Sequence, residues 1–192
     1  MANLGDSGLL LLRAPEGEAS ANLTPRFRTP QQEHTFGCPF QLGHHSAASL
    51  PSDAFLATLQ LQAGDVLVLG TDGLFDNMHD ERTAELLSDL LLRARADFKA
   101  SCEDGGERDS TGKLSARGLR RRQTAARTLA NESAQALLKE TFFNSLDKKK
   151  VSPYAKSYMA EFDLIKNGGK KDDIAIVIAF VAAADDFENI PT

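Results

Sequence analysis

In Gly64-Asp65-Val66-Leu67-Val68-Leu69-Gly70-Thr71-Asp72-Gly73-Leu74-Phe75-Asp76-Asn77-Met78 a continuous apolar run gives way abruptly to carboxylates and a glycine. Val66 to Leu69 favours extended structure, and without a polar alternation it reads as a strand buried on both faces. Gly73 directly after Asp72 lets the backbone turn sharply where a side chain would obstruct it. The strand end thereby places Asp72 and Asp76 in a tight, rigid turn.

Downstream, residues 81–98 repeat apolar groups at helical spacing (Leu86, Leu87, Leu90, Leu91, Ala94), which predicts an amphipathic helix. Residues 99–123 break that pattern. Their Gly-rich, charged composition predicts a flexible insertion, and the Arg120-Arg121-Arg122 cluster within it reads as a solvated loop rather than a dock for an acidic partner. A second helix is expected over 124–146, with Leu129, Ala130, Ala136, Leu137 and Phe143 facing inward. A loop through Pro153 and Gly168-Gly169 leads to Asp172-Asp173, and a final strand follows over 174–181. Residues 185–192 form an acidic tail expected to fray.

Upstream, residues 14–51 are rich in turn formers and read as loops with short strands, anchored by the apolar residues of 34–42. Gly5-Asp6-Ser7-Gly8, flanked by Leu4 and by Leu9 to Leu12, reads as a hairpin turn whose first arm is almost missing. A hairpin needs two arms, so the natural domain is expected to begin before Met1. The 192 residues (20.8 kDa) suit one domain, expected over 1–184 with its 99–123 insertion, followed by the 185–192 tail.

Composition excludes several classes. Lys and Arg number 22 against 27 Asp and Glu, and a net charge of −5 argues against a nucleic-acid-binding surface. No apolar run approaches the roughly 20 residues of a membrane span. Two cysteines, Cys38 and Cys102, make no disulfide framework, and Met1 to Leu12 lacks the basic opening of a signal peptide. The expectation is a soluble, intracellular chain whose oligomeric state the sequence leaves open.

Three places repeat one construction, a carboxylate in a turn abutting an apolar strand: Asp6; Asp72 and Asp76; and Asp172-Asp173. Aspartate is common in turns, so any single one is unremarkable. Together they suit a hard divalent cation, because clustered carboxylates repel unless a cation sits between them. The 72–77 stretch is not an EF-hand: position three holds Leu74, position six Asn77, and the closing acidic position Thr83.

These residues resemble the metal-dependent protein phosphatases of the PP2C family. Gly5-Asp6-Ser7, Thr71 to Met78 and Gly168-Gly169-Lys170-Lys171-Asp172-Asp173-Ile174 match three of its signatures, in order. His34-Thr35-Phe36 with Pro39-Phe40-Gln41-Leu42 is similar to its PTC-seven-type branch. The resemblance implies an α+β fold, an antiparallel β-sandwich flanked by helices in α/β/β/α layers, here lacking its N-terminal portion. It implies hydrolysis of phosphoserine and phosphothreonine in phosphoprotein substrates by a water activated on Mg²⁺ or Mn²⁺. Carried over by motif, Asp72 and Asp172 ligate a core metal. Asp6 and Asp76 match a further, weaker site, although Asp76 also suits a helix cap. Asp173 stands where the family often has Asn. The branch resemblance alone suggests a mitochondrion or plastid.

The chain departs from the family pattern in one respect. The family's first half carries the Asp-Gly motif that bridges both core metals, the phosphate-binding Arg and the general-acid His, and nothing in these residues replaces them. His44-His45 reads as surface, and the other Asp-Gly, Asp104-Gly105, lies in the polar insertion. Two alternatives therefore stay open: an active phosphatase chain, or an inactive fragment or pseudophosphatase acting as a binding module. A cysteine-dependent phosphatase is disfavoured. Cys102 to Arg108 fits Cys-x5-Arg formally, but Glu103, Asp104 and Glu107 would repel a phosphate and raise the thiol pKa.

Overall fold

The computed structural model describes residues 1–15, 22–44, 48–101 and 115–182. Its centre is a four-stranded antiparallel sheet in the order β3 (Thr24–Arg28), β2 (Gly8–Arg13), β7 (Val66–Gly70), β8 (Ile176–Phe180). Register places Leu10, Val68 and Ile178 side by side, and likewise Leu12, Val66 and Phe180, so these residues line one face. Two long helices, α2 (Asp80–Ser101) and α3 (Ala116–Leu146), cover that face. Leu10, Leu12, Val66, Val68, Leu74, Leu87 and Leu137 are fully buried between the layers. Each such side chain contributes about 1.5–3 kcal/mol relative to exposure.

The opposite face is also apolar but only partly covered. Leu11 is buried, whereas Leu69 is 40% and Val177 61% exposed. The cover comes from a two-stranded ladder of β1 (Ala2–Asn3) and β6 (Phe55–Leu56), whose Phe55 stacks on Phe27 beside Leu11. A second short ladder joins β4 (Glu33–Thr35) to β5 (Cys38–Pro39). The expected burial of β7 on both faces is corrected accordingly: it holds on the helix side alone.

Asp65 anchors the start of β7. Its carboxylate accepts from Arg13 Nε at 2.6 Å and Nη2 at 2.7 Å, and from the Gln62 N–H at 2.8 Å. Asp65 is 1% exposed, so burial pushes its carboxyl up, but the bonds from Arg13 and Gln62 more than reverse this and hold it below the ordinary range.

Several expectations are corrected. The 5–8 turn does not close a hairpin: β1 pairs with β6 and β2 with β3 and β7, so this turn carries the chain between sheets. The flexible insertion expected over 99–123 is helical at both margins. α2 continues to Ser101, and α3 starts at Ala116, where the Ser115 hydroxyl caps the Gly118 N–H. Leu119 is buried there, a pattern masked in the sequence by the surrounding arginines. Residues 102–114 fall outside the described residues, and so do the Cys102–Arg108 pattern, His45 and the 185–192 tail. Phe143 is 59% exposed, because α3 turns Ser133, Leu137, Thr141 and Asn144 inward instead. The end of α3 has a close backbone neighbour in Gly169, where a Cβ would collide with the Asn144 carbonyl oxygen. A further helix, α4 (Pro153–Phe162), occupies what reads as loop. Its start is a Ser152 cap on the Ala155 N–H with proline in the first turn.

Candidate functional site

The loop after β7 folds at once into a single helical turn, α1 (Asp72–Phe75), and Asp76 caps its C-terminal end rather than the start of the helix that follows. The segment leading into β8 is fastened beside it. Thr71 Oγ1 donates to the Asp173 carbonyl at 2.8 Å and accepts from the Ala175 N–H at 3.1 Å. The Thr71 N–H donates to the Ala175 carbonyl at 3.2 Å. Gly73 is required by this approach, since a Cβ there would sit 2.4 Å from the Asp173 carbonyl oxygen.

Asn77 makes the second fastening. Its side chain is fully buried, donates to the Gly73 and Lys170 carbonyls at 2.9 and 2.8 Å, and accepts the Lys170 N–H at 2.9 Å. The amide thus pairs with both backbone groups of Lys170, as a strand would, and fixes that residue against α1. Asn144 supports the arrangement from α3 by donating to the Asn77 carbonyl at 3.1 Å.

The outcome is a junction of carboxylates drawn from positions about a hundred residues apart. Lys170 Nζ lies 2.8 Å from Asp72 Oδ2, 2.8 Å from Asp76 Oδ2 and 3.1 Å from Asp172 Oδ2. Burial works against the ammonium, but the bonds to Asp72 and Asp76 override it and hold Lys170 protonated. Asp76 is the most buried of the three, and burial raises its carboxyl above the ordinary range despite the bond from Lys170. The charges of Asp72 and Asp6 push in the same direction, which places Asp6 in the same neighbourhood without a direct bond to the cluster. For Asp172 burial is outweighed by Lys170 and by the Asp173 N–H, and its carboxyl is held low.

Asp72, Asp76 and Asp172 are therefore brought together, Asp6 stands nearby, and His44 is exposed. Among the described residues, no group of three or more His, Cys, Asp or Glu side chains is spaced to hold a metal ion. The reason is geometric: the oxygens stand around an ammonium at 2.8–3.1 Å, whereas Mg²⁺ holds oxygens at about 2.1 Å. In chemistry the donors fit a hard cation, being carboxylate oxygens converging on one positive centre. Lys170 and Asn77 are the site residues that sequence reasoning missed. Their partners lie up to 98 positions away, and the sole hint was their place inside the two acidic segments.

A cleft of about 380 Å³ opens beside the cluster, lined by Asp76 and Lys170 and by the aromatic side chains of Phe36, Tyr154, Tyr158 and Phe162. Phe36, at the β4–β5 turn, packs edge-on to Tyr158 and Phe162 with ring centroids 5.8 and 5.2 Å apart.

No protein-family model matches the chain. It is similar to "Probable protein phosphatase 2C 80" of Arabidopsis thaliana, 32% identical over 182 residues, which cover 95% of this chain and 34% of that protein. It is 31% identical over 192 residues to "Protein phosphatase PTC7 homolog" of Xenopus laevis, covering 96% of this chain and 51% of that one. The solved X-ray structure of the photosystem II phosphatase PBCP superposes with a TM-score of 0.65 at 26% identity, over 94% of this chain and 57% of that chain. The 192 residues thus span from about a third to just over half of the length of these proteins. The match bears out the mixed fold of helices on an antiparallel sheet as part of such a domain. With its three acidic turns in order and similarity along nearly its whole length, this chain resembles the protein phosphatase 2C family, and within it the PTC7-like branch.

Proposed function

We propose that these residues form the carboxylate-bearing part of a metal-dependent protein serine/threonine phosphatase. The observation that carries the proposal is the convergence of Asp72, Asp76 and Asp172 on one cationic centre at the mouth of an open cleft. Three carboxylates beside one ammonium leave surplus negative charge, and such clusters concentrate where a cation or a reaction uses them. Names of the relatives give the reaction class, phosphate ester hydrolysis on proteins.

In this proposal Asp72 and Asp172 hold a core Mg²⁺ or Mn²⁺, and Asp76 and Asp6 serve a further, weaker ion. A divalent cation bound there supplies an acidified water and offsets charge on the phosphoryl oxygens. The chain's own residues supply rigidity. Thr71 and Asn77 lock the two acidic turns to each other, so the carboxylates need not be ordered when the ion arrives. The cleft beside Asp76 seats the polypeptide flanking the phosphorylated residue, its aromatic side chains packing apolar ones. A binding module without turnover is the second reading, favoured by the ammonium seated among the carboxylates.

The test is phosphate release from a phosphothreonine peptide by the full natural polypeptide carrying these residues, with Mn²⁺, with EDTA and with Asp72→Asn. Turnover that needs Mn²⁺ and disappears in the variant is the expected result. Turnover surviving both EDTA and Asp72→Asn overturns the metal reading, and no turnover with Mn²⁺ turns the assignment to the binding module.

A further inference from the structure

We propose that Lys170 is a tethered counter-cation: its ammonium holds the carboxylate cluster together until a divalent cation displaces it, and this exchange sets metal affinity. The inference rests on the metal reading above. The geometry supports it in four ways. First, the ammonium donates to Asp72 and Asp76 and pairs with the Asp172 carboxylate at 3.1 Å, so all three carboxylates share one cation. Second, the ammonium nitrogen stands at the point on which the oxygens converge, so it and a metal ion bound by the same oxygens exclude each other by volume and by like charge.

Third, the tether is fixed while the head is free to leave. Asn77 grips both backbone groups of Lys170, so the exchange moves a flexible four-carbon stem and leaves the acidic turns in place. Fourth, a second resting place is at hand. The Tyr154 ring centroid lies 5.6 Å from Lys170 Nζ, and Lys166, closer to Tyr158 at 4.6 Å, shares the Tyr154 ring at 5.5 Å. A cation over an aromatic face is attracted by the ring quadrupole, so the displaced ammonium has a partner in the cleft.

The consequence is opposite to that of an ordinary supporting residue, whose removal weakens metal binding. Lys170→Met should bind Mn²⁺ about tenfold more tightly, a size typical of outer partners of a metal site. In EDTA the same variant should melt below wild type, because three carboxylates are left without their cation. Lys171→Met, altering the exposed neighbour, should change neither property. The experiment is Mn²⁺ titration by calorimetry on wild type, Lys170→Met, Lys171→Met and Asp72→Asn, with melting curves in EDTA. A second measurement needs no variant: amine labelling of Lys170, read by mass spectrometry, should rise several-fold when Mn²⁺ is added to the wild-type chain. Mn²⁺ binding that is lost in Asp72→Asn but unchanged or weaker in Lys170→Met overturns the counter-cation role and leaves the metal reading standing. Labelling of Lys170 that stays constant as Mn²⁺ binds overturns it as well. Failure of wild type and Lys170→Met alike to bind Mn²⁺ overturns the metal reading itself.

Discussion

β7 begins beside Asp65 and ends beside Asp72, and the same side chain meets opposite treatment at the two ends. At the start, one buried carboxylate meets one guanidinium through two short bonds, and the Gln62 N–H takes a further lone pair. Charge is balanced and the acceptors are well used. At the other end Asp72, Asp76 and Asp172 share a single ammonium at the edge of a cleft. Charge there is in excess, and the buried member, Asp76, is held above the ordinary carboxylate range rather than below it. The first arrangement is what stability selects. The second costs stability in isolation and becomes favourable when further positive charge arrives.

That contrast can be broken in several ways. The largest effect belongs to Asp65→Ala, which removes the carboxylate that Arg13 and the Gln62 N–H share. It should destabilise the fold by about 3 kcal/mol in urea unfolding. Next is Gly73→Ala at the other end, where the new methyl meets the Asp173 carbonyl. A cost of about 2 kcal/mol is expected, together with weaker Mn²⁺ binding, since Asp172 must shift. Smaller again is the effect of acid. The Asp65 carboxyl is lower in the folded state than unfolded, so its contribution is complete above the unfolded value of about 3.9 and falls away as pH drops through the folded one. A urea series across that window should show the loss in wild type and not in Asp65→Ala. The smallest change should come from Asp72→Asn without metal. Stability within about 1 kcal/mol of wild type is expected there, because a partly exposed charge pair contributes little. A large loss in that variant would make the second end a structural pair like the first.

Much of the frame was legible in the sequence. The strand ending at Gly70, the helical spacing after it and the acidic turns before and after apolar runs are all local signals, and β7, α2 and β8 follow them. Partnership was not local. The 5–8 turn looked like a hairpin because both flanks are apolar, yet β1 finds its partners 52 and 54 positions on, at Phe55 and Leu56. Phe143 looked like core because it is apolar, but the inward stripe of α3 is built from Ser133, Leu137 and Thr141. α4 was signalled by Ser152-Pro153, which reads equally as a turn. In the site, the three carboxylates were visible as a repeated construction, while Lys170 was not. A lysine followed by another lysine reads as solvated surface, and only the fold shows its ammonium meeting residues 94 and 98 positions away.

The most direct measurement is equilibrium Mn²⁺ binding, followed by the loss of the free-ion electron paramagnetic resonance signal, for wild type, Asp72→Asn and Asp65→Ala under conditions where each is folded. The account expects wild type and Asp65→Ala to bind and Asp72→Asn to lose binding, locating the cation at one end of β7 and not the other. Binding that is absent from wild type, or undiminished in Asp72→Asn, would contradict it.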